Sequence, residues 1–280
     1  LIATPPCQGL SSNGKNKLIK DLNDDERNFL IFDIIEIAKT FDFKYILIEN
    51  VPKYLDMFFP KNGRFYRMKE LLEYEFSEDY EIKLDVFNMR DYGVPQSRPR
   101  SIIRIFKKGL SWSDPKKQDI IPLEKSIGNL PSLMPGEKSD LKWHYAKPLR
   151  SDLIKVLLNT PTGKSALKNE IYYPKNKRGE KVKGFHNTYK RMRWDLPAHA
   201  RTTYNGSVSS HNNIHPGRKN KDGTYSDPRV LSLLETFIVS TIPQETNFPE
   251  NISDNFLREL IGEGVPPKFI CELIKPLNAN

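Results

Sequence analysis

The chain is poor in cysteine: its 280 residues hold two, Cys7 and Cys271. A single pair so far apart makes no disulfide framework, which excludes a stapled secreted mini-domain and favours a reducing compartment. Long apolar runs are lacking too. The most hydrophobic helical stretch, 29 to 38, is broken by Asp33 and Glu36 and is far shorter than the roughly 20 residues that span a bilayer. No signal-peptide pattern opens the chain. Histidine is scarce, five in all, and the first is His144, so Cys7 has no nearby histidine in sequence with which to build a hydrolase pair. His211 and His215 lie in an Asn-rich loop with no Cys pair beside them, so no metal site is expected there.

Positive charge and proline are plentiful. Lys and Arg number 44 against 35 Asp and Glu, a formal +9, with pI near 9.3. Such an excess favours a polyanionic partner, nucleic acid ahead of an anionic membrane surface. Segment 164 to 193 alone carries ten basic and two acidic residues, +8 of that +9. Tyr172, Tyr173, Phe185 and Tyr189 are interleaved with it, a composition suited to contacts with nucleic-acid backbone and grooves, though a solvated charged face would read the same way.

Patterning predicts an α/β domain followed by an irregular one. Residues 1 to 4, halted by Pro5-Pro6, read as a short buried strand, so whatever follows Pro6 sits at a strand's carboxyl end. Residues 8 to 25 are polar and read as a mobile loop. Asn23 with Glu26 reads as a capping box, opening a helix with a core face of Phe29, Leu30, Ile34, Ile37, Ala38 and Phe41. The apolar run 45 to 48 predicts a strand that delivers Glu49-Asn50 to the same rim. A helix over 65 to 76 and strands over 80 to 87 and 101 to 106 complete the series, an order in which ligands gather outside the carboxyl ends of strands. Beyond Gly109 prolines recur and periodicity weakens, marking a separate basic module. Helices are predicted over 255 to 261 and 268 to 277, interrupted by the Gly-flanked turn 262 to 267.

Three groups carry chemistry. Cys7, in Pro5-Pro6-Cys7-Gln8-Gly9, is either a small buried hydrophobe or a nucleophile; at an ordinary pKa only about 3% would be thiolate at neutral pH, so nucleophilic use requires a nearby positive charge or helix terminus. Glu49 at a buried strand end is placed for proton work, since burial raises the pKa of a carboxyl, and an ion-paired or capping role is the alternative. Arg98 and Arg100, two apart at a strand entrance, would project to one side and suit an anion.

Together, Pro-Pro-Cys-Gln-Gly at 5 to 9, Asp25-Glu26-Arg27-Asn28-Phe29-Leu30, Glu49-Asn50-Val51, and the run from Arg90 to Arg100 (Arg-Asp-Tyr-Gly-Val-Pro-Gln-Ser-Arg-Pro-Arg) resemble the DNA cytosine-5 methyltransferase family in order and spacing. The resemblance covers the chain to about Phe106 and resumes near Arg191. It implies a partial Rossmann-like, class I S-adenosylmethionine-dependent methyltransferase sheet with a smaller, irregular target recognition domain. The implied divisions are 1–110 for the catalytic part, 111–254 for target recognition and 255–280 for a helix returning to the catalytic domain.

In that family the cysteine attacks C6 of a cytosine flipped from the duplex while the glutamate holds protonated N3, and C5 then takes the methyl group. Cytosine is a poor electrophile, so it needs a soft nucleophile together with a protonated acid that relieves developing charge. Flipping is obligatory because C5 and C6 are shielded in the stack. By resemblance Cys7 is the nucleophile, Glu49 the N3 partner, and Arg98 and Arg100 hold the intermediate or a phosphate. Gln8 and Ser11 belong to a loop that closes on DNA, and Lys175, Lys177, Arg178, Lys190, Arg191 and Arg193 contact double-stranded DNA.

Arg193-Trp194-Asp195-Leu196-Pro197-Ala198, Ile214-His215-Pro216 and Arg229-Val230-Leu231 resemble the motif that organises target recognition; the segment from Leu231 to Pro243 keeps Glu235 but not the family's other marks. The run from Ile261 to Pro267 resembles the last family motif, with Glu263 where Asn is usual. Pro6, Leu30, Glu263 and Val265 are thereby expected to touch S-adenosylmethionine.

No Phe-x-Gly-x-Gly turn occurs in the 280 residues, so the cofactor site is expected to be incomplete, and Leu1 is not what removal of an initiator Met usually exposes. A downstream piece of a longer enzyme, or one subunit of a split one whose partner carries the cofactor half, is expected. The setting implied is prokaryotic cytoplasm, on the nucleoid, within a restriction-modification system and away from membranes. A catalytically idle DNA-binding subunit is the alternative. An RNA methyltransferase ranks lower because the Cys-Phe-Thr signature of the tRNA-modifying branch is absent.

Overall fold

In the computed structural model, which describes residues 1–6 and 26–279, the chain divides into two compact units. The first comprises Leu1–Met89, Pro99–Lys116 and Glu272–Asn280; the second comprises Arg90–Arg98 and Lys117–Cys271. These divisions depart from those at 110 and 254, because packing rather than composition sets them. Residues 90–98 go with the second unit, where Tyr92 meets the Phe269 ring edge to face at 5.5 Å and Gln96 donates to the Val239 carbonyl at 3.2 Å. The segment joining the first unit at the far end is correspondingly shorter, 272–280.

Strands of the first unit are β1 (Ile2–Ala3), β2 (Tyr45–Asn50), the hairpin β3 (Phe58–Lys61) and β4 (Arg64–Arg67), β5 (Tyr80–Asn88) and, after β6 (Gln96–Ser97) of the second unit, β7 (Pro99–Lys107). The main sheet runs β1-β2-β7-β5; β1 is parallel to β2, and β7 is antiparallel to both β2 and β5. Helix α1 (Ile31–Phe41) buries Ile31, Ile34, Ile35 and Ala38, and α2 (Met68–Phe76) buries Met68, Leu71, Leu72 and Phe76. They share one core with Ile46 and Ile48 of β2 and Ile103 and Ile105 of β7. The register Ile46↔Ile105 and Ile48↔Ile103 puts these four side chains on one face of the sheet.

The stripe on α1 is narrower than the sequence suggests. Ile37 and Phe41 are exposed, since the 3.6-residue period sets Ile37 at the margin and Phe41 is the last helical residue, followed by Asp42 at φ 48°. Asn23, half of the expected capping box, lies outside the described residues, and Glu26–Phe29 forms a 3-10 turn before α1. The helix expected from 65 begins at Met68 because 64–67 pair as β4. On the opposite face of the sheet, Trp112 meets the Tyr45 and Phe106 rings edge to face and donates to the Leu273 carbonyl at 2.9 Å.

The second unit has little regular structure. It holds β6 paired in parallel with β8 (Ala198–His199) and the helices α3 (Leu123–Ile127), α4 (Ser151–Leu158), α5 (Leu233–Val239) and α6 (Asp254–Glu263), while α7 (Pro267–Ile274) carries the chain across the division. Irregular backbone leaves carbonyls without ladder partners, and buried arginines take them up. Arg98, Arg191, Arg201, Arg229 and Arg258 are all 2% exposed or less. No helix among the described residues is long and apolar enough to cross a membrane.

Candidate active site

The rim at the carboxyl ends of β1 and β2 gathers three short polar segments. Asn50 donates from Nδ2 to the Pro5 carbonyl at 3.0 Å, which fixes the Pro5-Pro6 step beside the Glu49-Asn50 strand end. Ser101 donates to the Asn50 and Val51 carbonyls at 3.0 Å each, tying β7 to the same point. Because Glu49 faces Ile102 across the ladder, Arg100, two residues from Ile102, shares its face as a diagonal neighbour. Arg100 Nε lies 2.9 Å from Glu49 Oε1, and both side chains are largely buried. The strand end therefore presents a carboxylate held by a guanidinium rather than a bare acid. Cys7, Gln8 and Ser11 lie outside the described residues.

Arg98 and Arg100 do not act as a pair. Arg98 lies between β6 and β7 instead of within one strand, so the alternation that would aim both to one side does not apply. Its guanidinium donates to the Arg201 carbonyl at 2.8 Å and to the Gly262 and Gly264 carbonyls at 2.9 Å each, which makes it a clamp on the turn after α6 rather than a holder of anions. Gly262 is required for the same closeness. A Cβ there would stand 2.4 Å from the Thr202 carbonyl carbon and 2.5 Å from the Thr203 nitrogen.

The expected cofactor residues divide between the units: exposed Pro6 and half-buried Leu30 in the first, exposed Glu263 and half-buried Val265 in the second. Val265 lines an apolar cleft of about 290 Å³ with Ile242, Phe248, Leu257, Ile261 and Pro266. Glu263, the last residue of α6, is exposed and lies two residues before Val265.

Of the basic residues, Lys175, Lys177, Arg178 and Arg193 are exposed and Lys190 is half-buried, so these can meet a polyanion, although Arg193 is ion-paired with Asp195. Arg191 cannot. It is fully buried, donating to the carbonyls of His215 at 2.8 Å, Leu157 at 2.9 Å and Asp227 at 3.1 Å, and burial draws its pKa down to about 10. One letter in a basic run is thus internal scaffolding.

A buried ionic network escaped the sequence reading apart from its isolated marks at His215, Arg229 and Glu235. Arg229 makes a two-pronged contact with Glu235, 2.6 and 3.0 Å, and reaches Asp227 Oδ1 at 2.7 Å. Glu235 also accepts from the Ser232 backbone at 2.7 Å in a capping box that opens α5. His215 Nε2 lies 3.4 Å from Glu235, and its ring meets Trp194 edge to face at 5.2 Å. Arg229 holds Asp227 down to about 2 and Glu235 well below the ordinary carboxylate range against the opposing effect of burial, while burial, with Arg229 beside it, lowers His215. The clue in the sequence was the spacing of Ser232 and Glu235, a capping-box signature that went unused.

The sheet order and the packing of its helices define a mixed α/β, class I methyltransferase fold with a partial sheet. An E. coli structure described as a DNA modification methyltransferase encoded within a prophage shares it with a TM-score of 0.64 at 18% identity, over 99% of this chain and 78% of that one. Residues 1–279 match the C-5 cytosine-specific DNA methylase family, and the chain belongs to that family. A Type II methyltransferase of Avibacterium volantium, M1.HgaI, is 46% identical over 277 residues, 99% of this chain and 78% of the relative. The Type II methyltransferase M1.HphI of Haemophilus parahaemolyticus is 26% identical, over 100% of this chain and 69% of that relative. Family and fold imply S-adenosylmethionine as the methyl donor and DNA as the substrate.

Proposed function

We propose that this chain is the catalytic and target-recognising portion of a Type II DNA (cytosine-5) methyltransferase, acting on a cytosine flipped from double-stranded DNA in the bacterial cytoplasm, on the nucleoid, within a restriction-modification system. The observation that carries the reading is the Glu49–Arg100 pair at 2.9 Å, on the rim to which Asn50 ties the Pro5-Pro6 step that leads into Cys7. Cys7, as the thiolate, bonds through Sγ to C6 of the flipped base as the C5–C6 double bond opens onto the ring. The Glu49 carboxyl holds the protonated N3, so the charge arriving on the ring is neutralised and C5 becomes nucleophilic. Arg100 orients that carboxyl and balances its charge when the base is away. S-adenosylmethionine supplies the methyl group when bound, with Pro6, Leu30, Glu263 and Val265 holding it. Loss of the C5 proton to solvent and departure of Cys7 Sγ as the thiolate then restore the C5–C6 double bond. Arg98 acts as a positioning residue for the turn that bears Glu263 and Val265.

Because the 280 residues contain no Phe-x-Gly-x-Gly turn, the remaining half of the cofactor site comes from residues outside them, in the same polypeptide or a second one. The exposed apolar side chain of Ile2, on the strand that forms one edge of the described sheet, supports a further surface packing there. Supplied with a polypeptide bearing that half, the chain is expected to transfer a labelled methyl group to cytosine in duplex DNA. No transfer from associated pieces, across varied DNA, would reduce it to an idle DNA-binding subunit. A covalent adduct with 5-fluorocytosine DNA that persists in Cys7→Ser would remove Cys7 from the mechanism.

A further inference from the structure

Two hairpins of the second unit are built to one plan. In 174–182, Lys175 pairs with Lys181, Asn176 N–H donates to the Glu180 carbonyl at 2.9 Å and Gly179 N–H to the Asn176 carbonyl at 3.0 Å, with Gly179 at φ 81°. In 218–226, Lys219 pairs with Tyr225, Asn220 N–H donates to the Thr224 carbonyl at 2.8 Å and Gly223 N–H to the Asn220 carbonyl at 3.1 Å, with Gly223 at φ 87°. Each tip thus reads Asn-Lys-x-Gly, a type I turn closed by a left-handed glycine. The variable position is Arg178 in the first hairpin and Asp222 in the second. Asp222 is spent locally, accepting from Thr224 N at 2.9 Å and Oγ1 at 2.7 Å.

Arg178 is not spent. The second unit contains ten arginines. Arg98, Arg191, Arg201, Arg229 and Arg258 are buried on carbonyls and side chains, and Arg90, Arg150, Arg193 and Arg218 are paired with Asp91, Asp152, Asp195 and Glu124. Among the described residues, Arg178 alone of the ten has a guanidinium with no hydrogen bond or ion pair. Its backbone is held firmly all the same: Asn176 Oδ1 accepts from Arg178 N at 2.9 Å and from Glu180 N at 3.0 Å. Lower in the stem, Lys175 and Lys181 lie over the Tyr173 ring at 5.6 and 4.7 Å, which fixes positive charge on the flanks.

From a rigid tip, an unengaged planar fork of donors and a basic stem, we infer that Arg178 is a specificity-determining residue that reads a guanine of the target sequence. A two-stranded ribbon fits the major groove, where guanine O6 and N7 accept both prongs of an arginine, while the stem lysines meet phosphates. The inference rests on the reading of the second unit as the DNA-recognising part of the enzyme.

The test is selection from a random duplex library by the full chain, comparing wild type, Arg178→Ala, Arg178→Lys and Lys177→Ala. Sequence preference is read from bound DNA, so it does not depend on methyl transfer. Loss of selectivity at one guanine position, by about 5- to 150-fold, is expected for Arg178→Ala with the other positions retained. Arg178→Lys keeps the charge but not the fork and is expected to lose the same position while holding most of the affinity. Lys177→Ala is expected to weaken all sequences alike. An unchanged motif in Arg178→Ala, a uniform loss of affinity in that variant, or a wild-type chain that enriches no sequence would each overturn the assignment. Selective binding without methyl transfer would instead sink the enzymatic reading alone.

Discussion

Replacing Glu235 by Gln tests whether the buried network holds the second unit together. The carboxylate takes two hydrogen bonds from Arg229, at 2.6 and 3.0 Å, and one from Ser232 N at 2.7 Å. Gln offers one acceptor oxygen where two are in use, and its NH2 must then face a guanidinium or a backbone N–H, donor against donor. Arg229 keeps Asp227, but one buried positive charge loses its main counter-charge. Breaking a buried pair from one side costs about 3–5 kcal/mol. The same chemical change at the surface is a control within the molecule: Arg218–Glu124, at 2.7 Å, has both side chains about half exposed, and Glu124→Gln is expected to cost no more than about 1 kcal/mol. Urea unfolding followed by tryptophan fluorescence separates the two, since Trp194 stands 5.2 Å from His215 and so reports on the network directly. A Glu235→Gln midpoint indistinguishable from that of Glu124→Gln would refute the argument.

Three further outcomes follow from the same geometry. Arg191→Met strips donors from three buried carbonyls and is expected to destabilise the chain by about 3 kcal/mol or more, with the salt dependence of DNA binding by the folded fraction unchanged; a salt slope reduced by about one, as expected for Lys177→Ala, would instead make Arg191 a phosphate contact. Gly262→Ala forces a methyl group to within 2.5 Å of the 202–203 backbone and is expected to lower the melting temperature and displace the turn that Arg98 clamps, whereas a neutral thermal shift would show that this approach is loose. Burial holds His215 neutral where the unfolded chain takes a proton, so stability is expected to fall as pH drops below about 6.5. The depressed Asp227 and Glu235 add a separate loss below about 4.5. Denaturant titrations of His215→Gln should show a shallower first decline, since His199 is lowered as well, and keep the second; an unaltered pH profile would refute the assignment.

Period-two and period-3.6 patterns report which side of an element faces apolar neighbours, and that is why β2, β5, β7 and the two C-terminal helices were legible in the sequence. The same logic located Glu49, since a polar residue ending an apolar run must emerge at the rim of a sheet. It could not show Arg100 as its partner, because that contact depends on a diagonal register between strands some fifty residues apart, set by Glu49↔Ile102. Arginine is where patterning fails most completely. A guanidinium that satisfies carbonyls inside an irregular unit and one that meets phosphate outside are the same letter, and both occur in polar, proline-rich surroundings. Arg191 and Arg193 stand two apart, yet one is fully buried and the other exposed. Net charge therefore overstates the surface available to DNA, for the second unit encloses five of its ten arginines, and part of the apparent nucleic-acid signal in the composition holds up backbone that lacks strands and helices of its own.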